Sequence, residues 1–302
     1  MTIAFCALGN LSIDDLVFVD GSTRWAVPGG NAIYSALGMA VWGERPVVVA
    51  PFGPDYPTGT LEARIDLTHC PRLERTLRDW GLYEEDGSRQ FVFRSTTRNW
   101  DDFSPRGTDV PAGTQAAHLA PLPWERHVEL VAALRQAGAT AISIDLDDRR
   151  LAAVDRAAVA GLMASVDLFL PSRQDGRVIF PDTTPADTVR RFRDLSPDTA
   201  LVALKCGAEG CVAHSVGSRD LMILPAVPVG AEDATGAGDT FCGGTLVGYV
   251  RTQDPIEALL HGAVSASFCV EALGVTGLLG SRPEVARERL QTLRGAIDMQ
   301  PF

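Results

Sequence analysis

Six short apolar runs set the fold class of this chain. They are IAFCALGN (3–10), VVVAPFG (47–53), AAHLAPLP (116–123), ATAISIDLD (139–147), DLFLPS (167–172) and ALVALKCG (200–207). Each has strand length and is nearly continuous in apolar residues, whereas a strand with one wet face would alternate. Helical patterns lie between several of them: VELVAALRQAG (128–138), AAVAGLMASV (157–166) and TPADTVRRFRDL (184–195). Buried strands alternating with helices predict an α/β three-layer sandwich with a central, mostly parallel sheet. The 302 residues suffice for one large domain with a full core. No repeat or low-complexity tract divides them, so a single domain over 1–302 is expected.

Two segments break the pattern. IDDLVFVDGSTRWAV, from Ile13, alternates apolar and polar residues around a DG turn, and GSRQFVFRSTTRNW, from Gly87, alternates as well. Alternation marks strands with one solvated face. The two segments predict a small β lid, built from about 11–27 and 87–100, that projects from the domain and covers a site. The stretch 58–78 is interrupted by arginine and proline and gives no pattern.

Charge and composition exclude several functions. The net charge is −11, with 26 arginines, a single lysine (Lys205) and no basic block, so nucleic acid is not an expected partner. No apolar run reaches membrane-spanning length, and MTIAFCALGN has neither a basic n-region nor a signal core. A cytoplasmic protein without a membrane partner is therefore the expectation. Cys6, Cys70, Cys206, Cys211, Cys242 and Cys269 form no CxxC pair or zinc spacing and are expected as buried free thiols. The five histidines show no HExxH pattern, so no dedicated metal cage is indicated.

The chemistry concentrates in DATGAGDTF, Asp233–Phe241. A glycine-rich turn entering a helix aims several backbone N–H groups in one direction, and with the helix dipole they form an anion site. Asp239 beside such a site suits phosphoryl transfer to an alcohol. The N–H groups stabilise charge on the transferring group, and the carboxylate takes the proton from the nucleophile. Two other nucleotide-binding classes fail. GNLSIDD after the first strand lacks the GxGxxG of a dinucleotide-binding dehydrogenase, and the lone lysine, in LKCG, cannot complete a P-loop.

DATGAGDTF resembles the C-terminal signature of the ribokinase family, also called the PfkB carbohydrate kinases, with Ala234 where threonine is commoner. PGGNAIYSALG (28–38) resembles its N-terminal diglycine signature, and the likeness covers essentially the whole chain. The resemblance implies a ribokinase-like fold. It implies Asp239 as catalytic base, with the backbone of Gly236, Ala237 and Gly238 as anion hole. It places Asp14, Gly29, Gly30 and Asn31 at the substrate, and Lys205, Gly207 and Thr235 at the nucleotide. ATP and Mg²⁺ are the implied cofactors, with a monovalent cation near ALGVTGLLG (272–280) left open. The family's Asn-x-x-Glu motif, which organises Mg²⁺, is replaced by Ser172 and Asp175, so Asp175 becomes the metal candidate. Tyr34 stands where the family usually has asparagine in the diglycine helix.

The expected activity is ATP-dependent phosphorylation of a hydroxyl on a sugar or sugar-like small molecule. A nucleoside kinase and a catalytically impaired binding protein are the alternatives. Arg89, Arg94, Arg98 and Arg106 suit a phosphorylated acceptor, but Glu84, Glu85, Asp86, Asp101 and Asp102 lie alongside, so a solvated charged face is the preferred reading. An uncharged acceptor held by Asp14 follows. Trp25, Phe93 and Trp100 fit either stacking on a ligand or packing of the lid. Exposed lid edges make a homodimer through the lid an expectation.

Overall fold

A computed structural model describes residues 3–85, 89–94, 100–151 and 153–302; Asp86, Arg98 and parts of the 87–100 lid segment lie outside the described residues, as does the side chain of Trp100. The first half of the chain supplies β1 (Ile3–Leu8), β2 (Ser12–Val17), β3 (Thr23–Gly29), β4 (Val47–Val49), β5 (Leu77–Tyr83) and β6 (Arg89–Phe93). The remainder supplies β7 (Thr114–Leu119), β8 (Ala141–Ile144), β9 (Leu168–Phe169), β10 (Leu201–Lys205), β11 (Cys211–Ser215), β12 (Asp220–Leu224) and β13 (Asp298–Pro301). Nine of these form the central sheet in the order β13-β12-β11-β10-β9-β8-β7-β1-β4. Its parallel part, β10 to β4, is made from the six apolar runs, while β11, β12 and β13 add an antiparallel margin.

The continuous apolar runs are explained by burial on both sides. On β1, Phe5 and Ala7 join one core cluster, and Cys6 and Leu8 join the other. On β10, Leu201 and Ala203 divide from Val202 and Leu204 in the same way. Helices Asn31–Ala40, Ala237–Thr252, Pro255–Val270 and Pro283–Leu293 cover the first face. Helices Trp124–Ala137, Arg156–Met163 and Pro185–Leu195 cover the second. The sequence marks their starts: Asp155, Thr184 and Asp254 accept backbone N–H groups as N-caps, and Pro185 and Pro255 open two of the helices. All six cysteines are buried free thiols. No helix among the described residues is long and apolar enough to cross a membrane.

The second sheet is the lid, in the order β3-β2-β5-β6. The DG turn closes the β2–β3 hairpin, with Gly21 at φ +80°. The third lid strand, β5, begins inside the stretch that gave no sequence pattern. It lies parallel to β2 and antiparallel to β6, joining the two alternating segments into one sheet, and the sequence did not mark it as a strand. The reason is chemical. One side of LRDWGLY carries Leu77, Asp79 and Gly81, an acid and a glycine where a core strand would place large apolar residues.

Three helices on the first face approach more closely than side chains usually permit. A Cβ on Gly243 would lie 2.0 Å from the Ser35 carbonyl oxygen, and one on Gly244 would lie 2.3 Å from Ser265 Oγ. Across the same seam Trp42 Nε1 donates to Ser265 Oγ (2.9 Å), which donates to the Gly38 carbonyl (3.0 Å). Helix Ala237–Thr252 is thereby locked against its neighbours. Gly243→Ala is expected to lower unfolding free energy by about 2 kcal/mol, because backbone cannot retreat like a flexible side chain. Urea unfolding measures it, and a wild-type midpoint would show that the seam is looser than its distances.

Candidate active site

The strand order places the site. From β1 the chain moves outward to β4 and then back to β7 on the other side of β1. At such a reversal the loops leaving the carboxyl ends of adjacent strands diverge and leave a crevice. Asn31 pins its floor. Its Oδ1 accepts from the Asn10 N–H (2.8 Å) after β1, and its Nδ2 donates to the Pro121 carbonyl (2.7 Å) after β7. Both ends of the Asn31 amide are thus committed to backbone. Asn10 Nδ2, beside it, is buried without a partner. Gly30, at φ +103°, could not carry a Cβ, which would meet Asn10 O at 2.4 Å.

The adjacent acids Asp14 and Asp15 show how strand alternation decides chemistry. Asp15 leaves β2 on the outer side of the lid. There Arg78 binds it through Nε (2.7 Å) and Nη2 (2.8 Å), the Ala26 N–H donates to it (3.0 Å), and Arg94 pairs with it. Burial alone would raise its pKa, but the Arg78 bonds, the Ala26 N–H and the Arg94 charge hold it below the usual carboxylate value. Asp14 points to the other side and keeps one side-chain donor, Ser12 Oγ at 2.7 Å. Burial pushes its pKa up to about 6, the Ser12 bond opposing and the Asp15 and Asp233 charges adding. Gly29 is shaped around it, since a Cβ there would lie 2.1 Å from Asp14 Oδ2. Asp79, its partner in the β2–β5 register, was not singled out in the sequence.

Helix Ala237–Thr252 starts at Gly236, whose φ of +74° turns the chain from the loop into the first turn. Tyr34 lies directly beneath: a Cβ on Gly236 would be 2.2 Å from its ring. Tyr34, which stands where the diglycine signature usually has asparagine, therefore forms the bed of the glycine loop. Asp233 holds the start of the loop by accepting from the N–H groups of Thr235 (2.9 Å) and Gly274 (3.1 Å). Two contacts join this loop to the lid: Arg89 pairs with Asp233 at 3.6 Å, and the Tyr83 hydroxyl meets Thr235 Oγ1 at 3.3 Å.

Asp239 sits in the first turn, half-buried. Burial and the Asp145 carboxylate push its pKa up to about 8 against the Lys205 ammonium. Asp145 immediately follows β8 and Lys205 ends β10, and the two form a buried ion pair. Lys205 Nζ also donates to Cys242 Sγ (3.4 Å) and would lie 3.7 Å from a Cβ on Gly238, under the anion loop. Burial would lower the Lys205 pKa, yet the Asp145 carboxylate holds it well above its ordinary value. Gly207, just beyond, has φ +63° and faces open space.

Ser172 and Asp175 form a capping box at the helix Arg173–Ile179: Asp175 Oδ2 accepts from the Ser172 N–H and hydroxyl, both at 2.6 Å. Asp175 Oδ1 is buried without a partner, and burial, with the Asp145 charge, raises the pKa to about 7. Among the described residues no three of His, Cys, Asp and Glu converge as a metal cage. One free carboxylate oxygen without a cage fits Mg²⁺, which keeps most of its waters and takes phosphate oxygens as ligands.

The model of the pfkB family carbohydrate kinases matches residues 12–280. The chain belongs to this family. A cytidine kinase of Thermococcus kodakarensis is 26% identical over 254 residues, which span 83% of this chain and 89% of that protein. A putative ribokinase II of E. coli, solved in complex with ATP and Mg²⁺, superposes with a TM-score of 0.75 at 17% identity, covering 97% of this chain and all of that one. An adenosine kinase of Sinorhizobium meliloti gives 0.76 at 18% identity, covering 95% and 99%. The PfkB kinase described here is thus a phosphotransferase with an alcohol acceptor on a ribokinase-like fold.

In this kinase the Lys205–Asp145 pair carries much of the local electrostatic balance. Lys205→Met leaves Asp145 buried and unpaired and is expected to cost about 3 kcal/mol in chemical denaturation. Adding Asp145→Leu should recover most of it. A double variant no more stable than the single one would show that the pair is not the source of the loss.

Proposed function

We propose that this PfkB kinase transfers the γ-phosphate of ATP to a hydroxyl of an uncharged sugar or nucleoside, with Asp239 as general base. The observation that carries the reading is Asp239 itself. It is a carboxyl with a raised pKa, in the first turn of a helix whose amino end is an open glycine loop. Asp14 and the Gly29–Gly30 turn bind the acceptor. Asp239 takes the proton of the attacking hydroxyl, and the N–H groups of Gly236, Ala237 and Gly238 stabilise the charge on the transferring phosphoryl group. Lys205 adds a positive field beneath the loop, and Thr235 and Gly207 border the nucleotide. Asp175 would hold Mg²⁺ through water, and the ion would supply charge neutralisation to the phosphates.

An uncharged acceptor is supported by the fate of the lid cations. Arg94 is paired with Asp15 and Arg89 with Asp233, so neither is reserved for an acceptor phosphate. A nucleoside is favoured within that class by Phe91 and Phe93, which share the strand side of Gly81 and Asp79 in the lid register and remain 40% exposed. They offer an apolar face to a flat base. On the opposite side Trp80 and Val92 are register partners and stay 41% and 45% exposed. With Trp25 they support a homodimer through the lid, and Trp80→Glu should then shift the mass in light scattering to that of the monomer.

Two measurements test the assignment. ADP release is followed with ribose, fructose, adenosine, cytidine and fructose 6-phosphate as acceptors. Asp239→Asn is expected to lose at least about 100-fold in kcat while binding ATP like the wild type in calorimetry. Because the base must be deprotonated and its pKa is raised, kcat/KM should fall as pH drops through about 8. This limb should vanish in Asp239→Asn. Near-normal turnover in the variant, or a flat profile in the wild type, would remove Asp239 as the base.

A further inference from the structure

We infer that Asp79 is a second acceptor-binding carboxyl, which with Asp14 forms a paired clamp for two neighbouring hydroxyls of an uncharged acceptor. This rests on the kinase reading and names the acceptor feature that reading leaves open.

The placement is set by the lid register. Asp14 on β2 and Asp79 on β5 are partners in a parallel pair, so their side chains leave the same face of the sheet about 5 Å apart. Both are almost fully enclosed, at 5% and 6% exposure. Their partners differ sharply from those of Asp15, one residue away. Asp15 is met by two arginines and a backbone N–H, whereas Asp79 Oδ1 is buried with no hydrogen-bond partner. The lid can therefore satisfy a buried acid fully, and on the ligand side it leaves one unsatisfied. A buried carboxyl oxygen without a donor costs stability unless a ligand supplies the donor.

The neighbouring charges fit the same role. Arg149, whose field reaches Asp79, is held by Asp147 through Nε (2.7 Å) and Nη2 (3.2 Å). Burial and the Asp14 charge raise the Asp79 pKa to about 7, against Arg149, so near neutrality the pair both donates and accepts hydrogen bonds. Hydroxyl groups use both capacities. A phosphate or carboxylate at the same place would meet two acids. Phe93, the register partner of Asp79 on β6, adds an apolar surface for the ring that bears the hydroxyls.

The test compares the wild type with Asp79→Ala and Asp79→Asn, by ADP release and by calorimetry. The probes are ribose, fructose, cytidine and adenosine, the deoxy analogues 2′-deoxycytidine and 3′-deoxyadenosine, and fructose 6-phosphate. An uncharged vicinal diol should be the best acceptor. On it Asp79→Ala should raise KM at least about tenfold with kcat within about threefold, and ATP affinity should not change. The penalty should shrink on the deoxy analogue that lacks the clamped hydroxyl, a result that a structural role for Asp79 would not produce. Asp79→Asn should melt no lower than the wild type, because it removes a buried acid without breaking a bond.

An unchanged KM in Asp79→Ala, an equal penalty on parent and every deoxy analogue, or a preference for fructose 6-phosphate overturns the clamp. If the wild type binds an acceptor in calorimetry but transfers no phosphate, the kinase reading fails, and the binding comparison alone decides Asp79. If no probe binds, both fall.

Discussion

The position of Asp239 depends on three helices being allowed to touch through their backbones. Gly38, Gly243 and Gly244 remove the side chains that would hold Asn31–Ala40, Ala237–Thr252 and Pro255–Val270 at ordinary spacing. One of these helices starts at Asn31 and another at the glycine loop of Gly236, so their close contact fixes the two helix starts relative to each other. Tyr34 completes the arrangement by lying under Gly236, so the glycine loop rests on an aromatic ring instead of on water.

Around that frame the protein gathers acids. Burial raises the pKa of Asp14, Asp79, Asp145, Asp175 and Asp239, and one lysine, Lys205, stands among those at the nucleotide half. Such crowding opposes folding and makes sense where ligands bring donors and positive charge. The free oxygens of Asp79 and Asp175 mark the two regions where compensation is missing within the chain itself.

The parallel sheet was legible because strands covered on both faces leave unbroken apolar runs, and all six runs became parallel strands. The glycine loop was marked in the sequence because Gly236 and Gly238 stand at a helix start, whereas Asp14, inside β2, was marked only by the family resemblance. Other features left weaker traces. Strand β13, DMQP, is exposed and pairs on one side only, so it has no apolar pattern. Helix Pro255–Val270 is buried almost all round and shows no clear polar stripe. Asp79 stayed hidden because β5 carries an acid and a glycine where a core strand would be apolar. Asp145, the first acid after the apolar run ATAISI, was not singled out, although its position just after a parallel strand was the available signal. Arg89 and Arg94 read in the sequence as part of a charged face and not as phosphate ligands, and the fold shows the acids they meet, Asp233 and Asp15.

The bonds between Arg89 and Asp233, and between Tyr83 and Thr235, give the lid and the glycine loop a shared boundary. A displacement of the lid would have to break these two contacts or carry the loop with it. The energetic linkage is reciprocal: if an occupant of one region raises the affinity of the other, the second raises the affinity of the first by the same factor. The two substrates would then be felt as synergistic partners at equilibrium, whichever of them enters first.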